Sequence, residues 1–300
     1  LKQAEARGPL CPAYDKAGRR DDAINQCQTA VVLPTQDPQV GYHLGELLVA
    51  AGKPLEAVVP LAAGVKLNQG LAVSYTQAIS AAVQAGLAAG NDLTGKNPQQ
   101  ATQVLEAVAA LDNRNARAQV LLGNVYVGGG QPQIAIEKYK SALALDPANI
   151  SAMTNMGAAY YQMGKLDEAV AQFQTALRLA PEDAETHYLL GAAYIQQNKV
   201  QEAQAEFQAA LRSNPNLSPA YIGLGNVQIL QNDLDGAVAT LTRAAQLAPN
   251  QPETFYALGK ALMLKDDKAG AKQAFDRFLA LNPPAARRTE VEGWLKQLAP

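Results

Sequence analysis

Cysteine, histidine, tryptophan and charge are all scarce: the chain holds two cysteines, two histidines and one tryptophan, and only 17% of its residues are charged. Each shortage excludes something. Two cysteines cannot make a cysteine-rich zinc site, and His43 and His187 stand far apart in the sequence. The G-x-S-x-G, H-E-x-x-H and glycine-rich dinucleotide fingerprints are absent. No apolar run approaches the ~20 residues needed to span a membrane. A net charge of −2 leaves no basic stripe of the kind nucleic acid requires. Charge falls below the ~25% usual in soluble domains, and Gln and Asn take its place on the surface. The expectation is a protein with no catalytic residues, cofactor or metal, no nucleic-acid partner and no membrane insertion.

Punctuation at a fixed period is what the sequence does have. Prolines stand at 147, 181, 215, 249 and 283, and glycines at 123, 157, 191, 225 and 259, each set spaced by 34 residues. Ala135, Ala169, Ala203, Ala237 and Ala271 keep step, as do Tyr139, Phe173, Phe207, Leu241 and Phe275. In "MGAAYYQMGKLDEAVAQFQTALRLAP", residues 156–181, an amphipathic pattern stops at Gly164 and a second starts at Leu166. Asp167 and Glu168 meet the positive end of that second helix, and Pro181 ends it. Gly157 falls mid-helix, where glycine costs ~1 kcal/mol relative to alanine. The expected reason is close approach of two helices, with Ala169 opposite.

A 34-residue helical period in this Leu-Gly, Tyr, Ala, Phe, Pro order resembles the tetratricopeptide repeat family over residues 116–283. The resemblance implies an all-α fold, a right-handed superhelical solenoid of stacked antiparallel helix pairs. Repeats are expected at 116–149, 150–183, 184–217, 218–251 and 252–284. Upstream, Leu44, Gly45, Leu48, Gly52 and Ala57 keep the register, so 38–70 reads as a repeat. Tyr14, Gly18, Ala23 and Ala30 make 1–37 a degenerate one, and 71–115 reads as an irregular, lengthened helix pair. Val291, Trp294, Leu295 and Leu298 lie at helical spacing, so 285–300 is expected to be a capping helix. Phe278 replaces the alanine of the other repeats, which suggests that a different element packs there. His187 occupies a large-residue core slot, and the "GGG" at 128–130 sits at a turn slot without the Lys-Ser/Thr of a phosphate loop.

In the resembled family, the first helix of each pair lines a concave groove that holds a partner's polypeptide. Projecting from the core-facing glycines to the opposite flank puts Asn124, Thr154, Asn155, Tyr161, Tyr188, Asn226, Tyr256 and Lys260 toward that groove. Asparagine can bond a peptide N–H and C=O together, and tyrosine gives rigid contact area with a polar tip. The family's clamp for an acidic chaperone tail is not expected, because Val120, Glu185 and Leu189 stand at its cationic places. Cys11 and Cys27 lie eight residues either side of Arg19, at one height in an antiparallel pair. They form either a disulfide, which implies an oxidising compartment, or a pair of small buried thiols in a reduced cytosol. Leu1 is no initiator, so the chain is a processed exported protein or a trimmed piece. The reading is a monomeric, non-enzymatic scaffold for a protein or peptide partner, periplasmic or secreted, and otherwise cytoplasmic. The alternative is an accessory region of a larger enzyme or secretion assembly, as in glycosyl transfer or polysaccharide export.

Overall fold

The structure, a computed structural model, describes residues 7–31 and 37–298, and among them are seventeen α-helices, one 3-10 segment and no strand. It divides into two compact units, Leu1–Ala159 and Tyr160–Pro300. The first holds α1 (Arg7–Lys16), α2 (Arg20–Val31), α3 (Pro38–Ala50), α4 (Val58–Leu67), the 3-10 segment (Gln69–Tyr75), α5 (Thr76–Leu93), α6 (Pro98–Leu111), α7 (Ala116–Gly128) and α8 (Pro132–Leu145). Helix α9 (Ile150–Gln162) carries the boundary between the units. The second holds α10 (Leu166–Leu179), α11 (Ala184–Gln196), α12 (Val200–Ser213), α13 (Ser218–Leu230), α14 (Leu234–Leu247), α15 (Pro252–Leu264), α16 (Lys268–Ala280) and α17 (Ala285–Leu298). Within each unit, helices joined by a short turn pack on one another and on the next pair.

The turns explain why the period persists while the residues change. The second residue before the second helix of a pair adopts a left-handed conformation at Gly130, Gly164, Asn198, Asn232 and Asp266, with φ between 56° and 75° across the chain's turns. These positions are again 34 apart. Glycine meets the demand without a side-chain clash, and Asn and Asp are the side chains that tolerate it best. At the other end of each pair, Asn115, Asn149 and Asp183 accept the backbone N–H of Ala118, Ala152 and Thr186 at 3.0 Å, closing the first turns of α7, α9 and α11. The register then loses its cap, since Leu217 and Gln251 take the equivalent places before α13 and α15.

The mid-helix glycines are notches for bulky side chains. A Cβ on Gly191 would lie 2.8 Å from the Phe207 ring, and one on Gly225 would lie 2.5 Å from Leu241. Gly123 meets Tyr139, Gly259 meets Phe275 and Gly45 meets Leu61 in the same way. The partner is therefore the bulky residue sixteen places on. The register alanines, all 0% exposed, are buried as well. The exchange favours the fold, because ~1 kcal/mol of helix propensity is lost while burying a phenylalanine side chain returns ~1.5–3 kcal/mol.

Two places depart from the regular pair. Residues 69–93 hold the 3-10 segment and an eighteen-residue helix where the regular first helices have thirteen. The added segment is anchored by Tyr75, whose ring stacks on that of buried Tyr42 at 4.8 Å, while the Tyr42 hydroxyl donates to the Asn68 carbonyl. At the end of the second unit, α17 packs on α16 through Val291, Trp294, Leu295 and Leu298, which enclose Phe275 and Phe278. Gly293 stands 34 residues after Gly259, yet a Cβ there would meet nothing within 4 Å. Glu292 and Lys296 flank it, exposed. The helix keeps the repeat's register on one side and presents a polar face on the other.

Cys11 and Cys27 are bonded, with Cα atoms 5.2 Å apart and both residues fully buried between α1 and α2. Closing a loop of this size stabilises the pair by about 3 kcal/mol in the chain-entropy model. Thiol titration of unfolded, unreduced protein should find no free thiol, and reduction should lower the unfolding midpoint of the first unit; two reactive thiols would refute the bond. Deleting residues 285–298 should uncover Phe275 and Phe278 and produce dye-binding apolar surface or aggregation. A truncated chain that stays monomeric and binds no dye would show that α17 covers nothing essential.

Candidate functional site

The eight residues projected toward one face separate into three groups. In the first unit, the Asn124 Oδ1 accepts from the Tyr139 hydroxyl at 2.8 Å and from the Asn155 Nδ2 at 2.9 Å. Tyr139 comes from the second helix of the pair and is buried, lying in the Gly123 notch. The notch thus brings a hydroxyl past α7 to fix the amide of Asn124, the residue next to Gly123. That amide in turn fixes Asn155 on the next first helix. One donor group, the Asn124 Nδ2, and one acceptor, the Asn155 Oδ1, take no part in this triad. Thr154 is only 8% exposed and is not a surface residue, so it leaves the projected set.

In the second unit, Tyr161, Tyr188 and Asn226 line a single hollow of about 240 Å³. Its floor and walls were not foreseen: they are Phe207 and the small or apolar residues Ala192, Ile195, Ile222 and Gly223. The signal available in the sequence was Gly223. It gives α13 a glycine outside the repeat register, where the equivalent places carry Leu121, Asn155, Leu189 and Ala257. The Tyr188 ring lies 6.1 Å from that of Phe207, tilted by 39°. Burial, then the neighbouring Glu185 and Tyr161, push the Tyr188 phenol above its ordinary pKa, so it stays a neutral donor.

Tyr256 and Lys260 do not join that hollow, which corrects their placement on an open face. The last helix occupies Tyr256: its hydroxyl donates to Glu290 at 2.9 Å, and its ring lies 5.7 Å from Trp294 and 5.0 Å from the Arg287 guanidinium. The Lys260 ammonium sits 5.7 Å from the same ring. His187 is held as well, with Nδ1 2.6 Å from Glu206 and Nε2 2.9 Å from the Pro181 carbonyl. Among the described residues, no group of three His, Cys, Asp or Glu side chains is placed to hold a metal, and no helix is long and apolar enough to cross a membrane.

Family models described as TPR repeat and tetratricopeptide repeat match residues 123–164 and 157–198, 193–252, and 253–285. Among solved structures, that of Pseudomonas aeruginosa pilF is similar with a TM-score of 0.63 at 22% identity, covering 72% of this chain and 98% of its own. The Cut9–Hcn1 hetero-tetramer of the APC/C gives 0.64 at 16% identity, covering 97% of this chain and 55% of the other. YrrB, described as a TPR protein with an unusual peptide-binding site, gives 0.50 at 20% identity, covering 64% of this chain and 99% of its own. At these identities the likeness concerns the fold. A comparison with curated proteins finds no match.

Burial makes Tyr139 the strongest titration probe of the face. Its phenol is pushed far above the ordinary 10.0 by burial. The unfolded phenol ionises near 10 and the folded one higher, so the folded state holds the extra proton and stability is lost as pH rises beyond 10. Tyr42, Tyr75, Tyr188 and Tyr256 are raised too and add to the same alkaline loss. Tyr139→Phe should cost about 0.5–1.5 kcal/mol at neutral pH through the lost hydrogen bond and should make the alkaline fall shallower. An unchanged fall between pH 9 and 12, followed by circular dichroism, would remove Tyr139 from this account.

Proposed function

The chain belongs to the tetratricopeptide repeat family, and on that premise we propose that the first-helix face of residues 160–300 binds an extended polypeptide segment of low net charge. The observation that carries the reading is the hollow lined by Tyr161, Tyr188 and Asn226. It offers an apolar floor, two rigid phenols and an exposed amide, the combination that takes a side chain while bonding the backbone beside it. Peptide binding is also what the description of the YrrB structure names for that protein. The Asn124 and Asn155 amides offer a second, separate backbone-bonding place in the first unit. We further infer that the protein works as an exported monomer in an oxidising compartment, a reading supported by the Cys11–Cys27 bond.

Selection of random twelve-residue peptides on the immobilised full chain tests the peptide reading. Enriched peptides should have low net charge and bind with a micromolar Kd, roughly −8 kcal/mol. Their affinity should change little between low and high salt, because only exposed charge attraction is strongly screened. Tyr161→Ala and Tyr188→Ala should each weaken binding by about tenfold, roughly 1.4 kcal/mol, whereas Gln208→Ala, on an exposed second-helix position, should leave it unchanged. Enrichment that survives both tyrosine changes and is lost with Gln208→Ala would place the surface on the other side.

A further inference from the structure

Resting on the reading of this face as a peptide-binding surface, we propose that the hollow at Gly223 is an anchor pocket for one large apolar side chain of the partner, aromatic in preference to aliphatic, and that Gly223 is the residue that opens it. The Phe207 ring is held between two glycines. Gly191 belongs to the repeat register and receives the ring as Gly123, Gly225 and Gly259 receive their bulky residues. Gly223 does not belong to that register. A Cβ on it would lie 2.5 Å from the ring's Cζ, so the ring stands where a side chain at 223 would begin.

The consequence is a floor made of an aromatic ring edge and bare backbone in place of a first-helix side chain. Tyr188 stands over that floor at 6.1 Å and an inclined angle. Ile222 and Ile195 supply aliphatic walls, and Ala192 leaves the side between them open. An aromatic guest in such a hollow meets two inclined rings in the edge-to-face and offset arrangements that aromatic side chains prefer.

Size and charge narrow the guest further. A space of about 240 Å³ admits one large side chain and falls below the ~300–1,000 Å³ of pockets that take whole small-molecule ligands. Of the lining residues only Glu253 carries a charge, and it is exposed at the rim, within 4.0 Å of Arg287. No cation lines the hollow, so an acidic guest would lose its water without gaining a partner. A lysine guest would reach the acid only by leaving the floor empty.

The test uses N-acetyl-phenylalaninamide, N-acetyl-leucinamide and N-acetyl-lysinamide as probes, each titrated into the full isotope-labelled chain and followed by NMR. The phenylalanine derivative should give saturable shifts at the Gly223 amide and at the Ile195 and Ile222 methyl groups. The leucine derivative should shift the same signals with weaker affinity, and the lysine derivative should shift none at equal concentration. Ala192→Phe fills the hollow from its open side on a partly exposed helix position, so it should abolish the titration while circular dichroism stays unchanged. Gly223→Ala should weaken it by displacing the ring; should that chain fail to fold, Ala192→Phe still decides. Equal shifts from the lysine derivative, or an undiminished phenylalanine titration in Ala192→Phe, overturn the anchor. If no derivative shifts these residues while selected peptides still bind and lose affinity on Asn226→Ala, the anchor is wrong and the peptide face stands. If neither derivatives nor peptides engage the face, both readings fall.

Discussion

A bulky side chain lying in the notch of a first-helix glycine is the contact on which the regular helix pairs at Gly45, Gly123, Gly191, Gly225 and Gly259 depend. Phe207 against Gly191, Leu241 against Gly225 and Phe275 against Gly259 all span sixteen residues, and a Cβ at any of the three glycines would collide with its partner. That separation fixes the depth at which the second helix crosses the first. With the depth fixed, the turn between them has one length, and its left-handed residue recurs every 34 positions whether it is Gly164, Asn198 or Asp266. The notch also lets a second-helix side chain reach residues beside the glycine on the first helix. Tyr139 uses this to hold Asn124, and Phe207 uses it to floor a hollow.

The periodic part of the architecture was legible because each register position answers to a local physical demand. Pro181 and its equivalents end a helix, and the glycines either leave room for a ring or allow a positive φ. Those demands can be read one residue at a time. The candidate face was less legible, since its members are decided by contacts with partners distant in sequence. Asn124 and Asn155 both stand on first helices, but nothing local tells that they bond to each other across 31 residues. Tyr256 projects like the other members, and only the return of α17 takes it out. The apolar floor was missed for a simpler reason. Expectations were set by which side chains were present, whereas Gly223 matters for the one that is absent.

Low charge gives the array a particular kind of polar surface. Side-chain amides bridge neighbouring pairs in the second unit, with Gln197 donating to Asp167 and Gln231 to Gln204, both within 2.8 Å. Exposed ion pairs contribute little at best and weaken in salt, whereas amide bonds of this kind do not depend on ionic strength in the same way. The ends of the chain follow the same economy of charge. The N-terminal pair is held by a buried disulfide, and α17 closes its side with Trp294 and Val291 while turning Glu292 and Lys296 to water.

In a repeat protein, register residues report the fold, and the departures from register are where selectivity can be written. One slot shows this directly: Leu121, Asn155, Leu189, Gly223 and Ala257 are equivalent by the 34-residue period and stand two residues before the register glycine. None is demanded by the pair itself, because five different pairs form with four different residue types there. What changes is the surface. Asn155 turns the slot into part of an amide network tied to Tyr139, while Gly223 removes the side chain and admits the Phe207 ring of the preceding pair to the surface hollow. The same register place therefore belongs to an amide network in one pair and to the lining of an open hollow in another.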